Sequence, residues 1–449
     1  MQLVSRRLSP WPRRPTLLKL LPAMILPALF CLVWPCSTAR GQETKDEPRV
    51  ARLIKNLGSD AYLDRKQASA ELARRGASVR RQLEKAADSP DAEVRLHALS
   101  LLKNLKLADI WAPALVDCQT QNLPAKDVLE LLAQQSGNHI LTGDQYGPFH
   151  DLPVTLDLTQ VPFWRALDAL CQGTGNQVRQ HFDTRSPGLV LVAGEPGKFP
   201  AAYAGPVRAR VTSARRVFIE EYDYEQAKSD VTHTFQLNVQ MMWEDRFRLV
   251  AYKSQPELVS AITADGQELP GGPPSGSSWN VANAGTRQVA MTLRLQPPSV
   301  AAPTLRSLTL KWGLIAVGDM ATLEVADLAS TEPHVQDDVE LIVESIQERP
   351  PSRYEVTVIV NRDLVIPQPQ EVVFQENEFE LLDAAGQPFR KQSQTNNLTD
   401  QGAKIRFTFS SDTPGAVPGK LRFSYPRLRA EKDLEIEFRD VPLPVGRPE

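Results

Sequence analysis

The sequence predicts a multidomain protein of mixed α, α/β and all-β class, and three internal duplications are the main observations behind this prediction. Segments match at an offset of 30 residues near the N-terminus, at 38 in the next part, and at 113 to 119 in the C-terminal half. Apolar residues follow helical spacing in the first duplication and alternate in the last one. The predicted order is a short helical-repeat module, a small βαβ-repeat domain and two tandem β-sandwiches.

The composition excludes several classes of protein. The chain of 449 residues carries 51 Lys and Arg against 54 Asp and Glu, for a net charge of -3. It has no broad basic field, so we expect no nucleic-acid partner. Four Cys are too few for a disulfide-stapled or zinc-ribbon protein. The 36 Pro exceed the usual share of about 5% and indicate linkers, turns and edge strands.

Residues 1–41 are predicted to be a secretory signal peptide. Five cations and no acid stand in residues 1–19, an apolar run follows over residues 20–34, and Ala39 and Gly41 place cleavage after Gly41. The alternative is an uncleaved membrane anchor, for which the run is short and interrupted by two prolines. The sequence therefore predicts export to the periplasm or cell envelope, with membrane contact only through this segment if it is uncleaved.

The helical module is assigned to residues 49–108. Ser59 and Ser89 stand at expected N-caps, and Gly58 marks a helix end. The pattern D-x-x-V-R-x-x-A-x-x-x-L, which begins at Asp91, resembles HEAT-type repeats. The resemblance implies stacked helical hairpins whose surface binds proteins, and the alternative is a packing spacer.

The α/β domain is assigned to residues 109–195 and contains two matching units. In each unit a proline opens a helix (Pro124 or Pro162) and a glycine ends it (Gly137 or Gly175). These units resemble the short N-terminal domain of secretins and TonB-dependent receptors. The resemblance implies a small domain that docks other proteins in the periplasm. No downstream segment resembles the barrel of either family, so the resemblance does not imply a role in secretion or transport for this chain.

Four residues of this domain are candidate site residues. Phe163 and Trp164 stand where the first unit has Ala and Lys, which indicates either an exposed contact surface or packing against the linker or the next domain. Cys118 lies in a predicted strand and Cys171 on the core side of a predicted helix. Both are expected to point inward, and the alternatives are a disulfide and two separate buried thiols.

The C-terminal half is predicted to form two tandem Ig-like β-sandwiches. Short alternating segments separated by Gly, Pro, Asp and Asn indicate strands, and the final stretch of each copy matches without a gap. The sandwiches are assigned to residues 207–328 and 341–443. The segments 196–206 and 329–340 are assigned to linkers.

The sequence shows no catalytic motif, no metal-ligand spacing and no cofactor fingerprint, so we expect neither an enzyme nor a cofactor. Trp279 lies in a Gly/Pro/Ser-rich loop and is a further candidate for an exposed contact residue. The sequence thus favours an exported, non-enzymatic cell-envelope protein that acts as a modular scaffold for an envelope protein partner. The alternatives are a cell-wall or glycan-binding module and a hydrolase with an unrecognised site. The oligomeric state is not predicted.

Overall fold

The computed structural model describes residues 47–142, 148–181, 188–194, 200–271, 278–282, 286–297, 302–350, 353–362, 378–399, 402–413 and 415–444. The predicted signal peptide and its cleavage site after Gly41 lie outside these residues. The fold is mostly β-sheet, and the α-helices that the structure describes all lie before residue 175. Within the described ranges, no helix combines the length and apolar character needed to cross a membrane.

The helical region contains α1 (Glu47–Asn56), α2 (Tyr62–Arg75), α3 (Arg80–Ala87) and α4 (Ala92–Trp111). The offset of 30 is visible in its hydrogen bonds, because Arg65 and Arg95 each donate from Nη1 to the carbonyl of Ser59 and Ser89, both at 2.7 Å. The serines are not the N-caps that the sequence predicts. Asp91 caps α4 instead, and Ser89 accepts a bond from the Asp91 N–H.

The α/β region contains β1 (Leu115–Pro124), α5 (Ala125–Ser136), β2 (Pro153–Pro162), α6 (Phe163–Thr174), β3 (Asn176–His181) and β4 (Gly188–Ala193). Pro124 and Pro162 precede their helices with nearly the same backbone angles, and both helices end at a left-handed glycine. Strand β1 pairs with β2, and β3 with β4, in antiparallel register. The local geometry therefore repeats as the sequence duplication predicts.

The first part of the β-rich half contains β5 (Ala201–Ala204), β6 (Val207–Asp223), β7 (Lys228–Trp243), β8 (Arg248–Lys253), β9 (Glu257–Thr263), β10 (Trp279–Val281), β11 (Gln288–Leu295) and β12 (Thr304–Val325). One sheet has the order β11-β7-β6-β5. Its inner face packs against β9 and the N-terminal half of β12, with Phe235, Leu237, Leu308 and Leu310 in the shared core. This cluster is called the first β-core.

The second part contains β13 (His334–Gln336), β14 (Val339–Arg349), β15 (Arg353–Arg362), β16 (Glu378–Asp383), β17 (Arg390–Thr399), β18 (Gly402–Ser410) and β19 (Pro418–Pro442). Its main sheet has the order β13-β14-β15-β18-β17. Val356, Val358, Phe407 and Phe409 lie in its core with Phe423 of β19. This cluster is called the second β-core.

Two long strands join the β-cores. Strands β12 and β19 pair antiparallel from one end of β12 to the other, from Thr304 opposite Pro442 to Val325 opposite Leu421. The C-terminal end of β19, with Ile436 and Phe438, lies in the first β-core, whereas the C-terminal end of β12, with Val325, lies in the second. Each long strand therefore contributes to both cores, and the predicted boundary at residue 328 does not separate them.

The two predicted linkers each contain a short strand. Strand β5, within 196–206, pairs with β6, and β13, within 329–340, pairs with β14. Strands of three or four residues are too short for alternation to mark them, which explains why the sequence pattern indicates linkers instead. The β5–β6 turn also contacts the helical region, since a Cβ added at Gly205 would collide with the carbonyl oxygen of Trp111.

Candidate functional site

The two aromatic residues that open α6 are buried. Phe163 and Trp164 have almost no exposed surface, and the Trp164 Nε1–H donates to the carbonyl of Pro206 at 3.0 Å. This corrects the prediction of an exposed contact surface at these two residues. The contact of Trp164 with the β5–β6 turn agrees with the alternative that the sequence left open, which is packing against the linker or the next domain.

A charged network lies next to Trp164, where α6 meets β5 and β6. Arg208 donates to both carboxylate oxygens of Asp168, from Nε at 2.8 Å and from Nη2 at 2.7 Å. Tyr203 also donates its hydroxyl to Asp168. Burial and the neighbouring Asp168 carboxylate raise the pKa of the Tyr203 hydroxyl. The Arg208 guanidinium lies 5.9 Å from the centre of the Trp164 ring, which adds a cation–π contact to the bidentate ion pair.

A small cavity lies beside this network. Its volume is about 60 Å³, and its lining includes Asp168, Cys171, Arg208 and Arg210. Arg210 is buried and donates from Nε to Gln240 at 2.7 Å. Burial lowers the pKa of Arg210 to about 10, and the nearby Arg208 charge contributes to this change. Two buried arginines, Arg208 and Arg210, therefore line this cavity.

The structure has no disulfide between the two described cysteines. Cys118 and Cys171 are both buried and both free. Burial raises the pKa of Cys171 to about 12, with a further contribution from Asp168, so this thiol stays protonated at physiological pH. The prediction of a disulfide is corrected in favour of two separate buried thiols. Cys118 lies on β1, while Cys171 lies on α6 at the cavity.

The junction between the regions is organised by one short turn after β7, Glu244–Arg246, called the junction turn. The Glu244 carboxylate is fully buried and accepts the Ala114 N–H, at 2.9 Å and 3.2 Å to its two oxygens. Burial raises the pKa of Glu244 to about 7, although the bond from Ala114 and the charge of Arg246 oppose this change. Sequence reasoning missed this residue, because an acid after a strand is typical of a solvated turn.

The other two residues of the junction turn also reach across the interface. The Asp245 carboxylate accepts the His139 N–H and pairs with Arg287 at 3.0 Å. Arg246 donates from Nη2 to the carbonyl of Ala112 at the end of α4. Three consecutive side chains thus fix the helical and α/β regions to the first β-core.

The tryptophans of the first β-core do not form an exposed row. Trp243 and Trp312 are buried, and Trp312 Nε1 donates to the carbonyl of Lys253 at 2.9 Å. Trp279, the predicted contact residue, is half-buried on β10 and packs beside Val250 and Ile315. A flat aromatic platform for a sugar ring would need these side chains to face solvent, so this arrangement does not favour the glycan-binding alternative.

A hairpin extends from the sheet at the ends of β6 and β7. Residues 217–234 form this hairpin arm, whose two strands pair from Val217 opposite Thr234 to Asp223 opposite Lys228. Strand β5 pairs with β6 only up to Arg210, and β11 pairs with β7 only from Phe235 onward, as far as the structure describes their neighbours. At about 3.3 Å per residue, the arm projects roughly 20 Å beyond the sheet.

The arm exposes large apolar side chains. Phe218 is 62% exposed, Tyr222 49% and Tyr224 88%. Phe218 pairs with His233 across the strands, with ring centres 4.7 Å apart, and Tyr222 contacts Tyr224 at 5.0 Å. Since directly opposed residues share a face, Phe218, Tyr222 and Val231 lie on the same side of the ribbon. The sequence analysis did not identify this face, because the strand pattern does not show that the strand pair leaves the sheet.

The arm is also acidic. Residues 217–234 include Glu220, Glu221, Asp223, Glu225 and Asp230 against one lysine, Lys228. Asp223 accepts the N–H groups of Glu225 and Gln226 and so shapes the turn at the tip. The arm therefore presents an aromatic face with a surplus of negative charge.

Among the residues that the structure describes, no group of three or more His, Cys, Asp or Glu side chains could hold a metal ion. No protein-family model matches the chain, and neither a curated protein nor a solved structure matches it.

Proposed function

We propose that this protein is an exported, non-enzymatic component of the cell envelope that holds a protein partner through its hairpin arm. In this proposal a HEAT-like helical module and a secretin/TonB-short-domain-like α/β domain support two Ig-like β-sandwiches, and the first of these carries the arm. The observation that carries the proposal is the exposure of Phe218, Tyr222 and Tyr224 on a projecting ribbon.

The energetics of exposed aromatic residues favour an interface on the arm. An aromatic side chain buries 150–250 Å² when covered, at about 25 cal/mol per Å². Covering half of one such ring on binding is therefore worth roughly 2–3 kcal/mol. Tyrosine is enriched among the residues that dominate binding energy at protein interfaces. A cluster of such residues away from the β-cores contributes little to folding and much to binding.

The charge of the arm indicates the chemistry of the partner. Five acidic side chains and one lysine surround the aromatic face. A basic partner surface would be attracted to this arm and would exclude acidic competitors by repulsion. The expected partner is therefore an envelope protein with a basic, partly apolar binding surface, and its affinity should fall as salt concentration rises.

The proposed location of the protein is inferred from its N-terminal sequence. The basic segment, the apolar run and the small residues before Gln42 support export through a cleaved signal. An uncleaved segment would instead anchor the protein to a membrane with its folded part on the exported side.

The proposal is tested by recovery of the partner from envelope fractions under chemical crosslinking. The wild-type protein should recover one partner in stoichiometric amount, and the double variant Phe218→Ser/Tyr222→Ser should recover at least tenfold less. Tyr62→Ser is a matched control, since Tyr62 is an aromatic residue with 64% exposure on α2, away from the arm. Equal recovery by all three proteins would contradict a role for the arm, and recovery of the bait alone would contradict the proposed function itself.

A further inference from the structure

The outer side of α4 exposes apolar side chains next to basic ones. Leu96 is 64% exposed and Leu99 52%, although the opposite side of α4 packs into the core of the helical region. Because 3.6 residues make one helical turn, Leu96, Leu99 and Lys103 lie on one side of the helix, and Arg95 flanks them. All four side chains are exposed. These four residues are called the α4 face.

The α4 face is positively charged. The two acidic residues of α4 are already paired, Glu93 with Arg65 at 3.2 Å and Asp109 with Arg80. The whole helical region has the same sign, since residues 47–111 contain 13 Lys and Arg against 9 Asp and Glu. The rest of the described part of the chain lies within residues 112–449, which contain 31 Lys and Arg against 43 Asp and Glu. The α4 face therefore suits an acidic, partly apolar surface.

The hairpin arm has this complementary chemistry. It carries five acidic side chains against one lysine, and Phe218, Glu220 and Tyr222 alternate along its aromatic face. Along a strand, Glu220 lies about 7 Å from Phe218. Along α4, Lys103 lies about 6 Å beyond Leu99. Because these two spacings match, Phe218 can pack on Leu99 while Glu220 pairs with Lys103.

The two surfaces can meet only between copies of the chain. Both are exposed in a single copy, so neither covers the other. Contact of two α4 faces would bring Arg95 and Lys103 of both copies together, and contact of two arms would bring their carboxylates together. Like charges at an interface repel. The combination that joins opposite charges is the arm of one copy on the α4 face of another.

We propose that the partner of the hairpin arm is a second copy of this chain, which binds the arm through its α4 face. This inference rests on the proposed function, in which the arm holds a protein partner. The two surfaces differ, so the contact is of the head-to-tail kind, which builds closed rings or open chains of copies. Two copies that bind each other reciprocally are the smallest such ring.

The experiment is size-exclusion chromatography with light scattering on the purified protein over a range of protein concentrations. The wild-type protein should have the mass of two or more copies, and this mass should fall as salt concentration rises. The face variant Leu96→Ser/Leu99→Ser and the arm variant Phe218→Ser/Tyr222→Ser should both be monomeric. A monomeric wild-type protein at every concentration, or undiminished association of either variant, would overturn the proposal.

The chain offers a matched control for the loss of exposed apolar side chains. Val335 is 68% exposed and Val417 67%, and neither belongs to the arm or to the α4 face. The double variant Val335→Ser/Val417→Ser should associate as the wild-type protein does. Loss of association in this control would show that the α4 face has no special role, and it would overturn the proposal.

An equimolar mixture of the two monomeric variants is the sharper test. The face variant keeps an intact arm, and the arm variant keeps an intact α4 face. One copy of each should therefore form a complex with twice the mass of the monomer and should not grow further. A mixture that stays monomeric at the highest concentration would overturn the proposal, and this test does not depend on either variant's ability to bind itself.

An exchange of charges tests the predicted pairing of Glu220 with Lys103. Glu220→Lys and Lys103→Glu should each weaken association at least tenfold, because each places like charges together. A chain that carries both substitutions should associate more strongly than either single variant, since the pair is restored with its charges exchanged. A double variant that associates no better than the single variants would overturn the α4 face as the binding site of the arm.

Failure of this inference can be distinguished from failure of the proposed function. In the recovery from envelope fractions, a second copy appears as untagged protein recovered with a tagged bait. Recovery of a different protein through the arm, together with a monomeric purified chain, would overturn the second copy as the partner and leave the proposed function supported. Recovery of the tagged bait alone, together with a monomeric purified chain, would contradict both.

Discussion

The buried carboxylate of Glu244 should make the stability of the protein depend on pH in an unusual direction. Its pKa in the folded protein is about 7, because burial outweighs the bond from Ala114 and the charge of Arg246. In the unfolded chain the same group has its ordinary pKa of 4.5. Since the folded state binds this proton more tightly, its contribution favours folding at low pH. That advantage is lost as pH rises from 4.5 to about 7.

The size of the effect follows from the two pKa values. Each pKa unit corresponds to about 1.4 kcal/mol, so the free energy of unfolding should fall by about 3 kcal/mol across this range. Between pH 5 and pH 8 the expected loss is about 2–3 kcal/mol. Glu244→Gln keeps an oxygen for the Ala114 N–H and removes the charge. The variant should therefore lack this loss and be more stable than the wild-type protein at pH 8.

The assay is urea unfolding at pH 5, 6, 7 and 8, followed by the fluorescence of the buried tryptophans Trp243 and Trp312. Glu257→Gln is the control, because Glu257 is exposed on β9 and its replacement causes the same change in net charge. We expect the stability gap between Glu244→Gln and the wild-type protein to widen steadily with pH, and Glu257→Gln to follow the wild-type protein. Parallel curves for Glu244→Gln and the wild-type protein would refute the reasoning.

Two further predictions concern the β-rich half. Phe438→Ala should cost about 3–5 kcal/mol and should speed amide hydrogen exchange in β7 before β15, because Phe438 lies in the first β-core although it follows the second in sequence. Faster exchange in β15 first would contradict that placement. Gly205→Ala should cost at least about 1–2 kcal/mol, because Gly205 has a φ of 55° and its added Cβ would collide with Trp111. An unchanged melting temperature would show that the β5–β6 turn does not constrain α4.

The sequence predicts the α/β region best, because local chemistry determines its elements. Proline fixes the backbone before each helix, and glycine permits the left-handed residue after it, so Pro124, Pro162, Gly137 and Gly175 mark boundaries without knowledge of the rest of the chain. The repeated hydrogen bonds of the helical region depend on residues no more than six positions apart, and the offset of 30 reveals them for the same reason.

The junction could not be predicted in this way. The pair between Asp168 and Arg208 joins residues 40 positions apart across a predicted linker, and neither residue belongs to a recognisable motif. The burial of Glu244 depends on the position of Ala114, which is 130 residues away. Strongly perturbed groups of this kind depend on tertiary contacts, and one sequence does not reveal them.

The sequence also did not show that β12 and β19 each contribute to both β-cores, and the reason is different. Alternation along a strand shows which side chains share a face, but it does not show which core that face covers. Leu310 and Phe438 occupy inward-facing positions of β12 and β19. The alternation predicts these positions equally well whether each strand stays within its own copy of the duplication or extends into the other copy. A boundary placed after the matched ends of the duplication therefore does not separate the two β-cores.

The long pairing of β12 with β19 also determines the order in which the chain can fold. As the protein is synthesised from its N-terminus, strands β5 to β11 are available well before the last strand. The first β-core lacks Ile436 and Phe438 until β19 has been made. Until then β12 presents an unpaired edge, which is a template for wrong strand pairing. The chain therefore completes the first β-core only after nearly all of its residues have been synthesised.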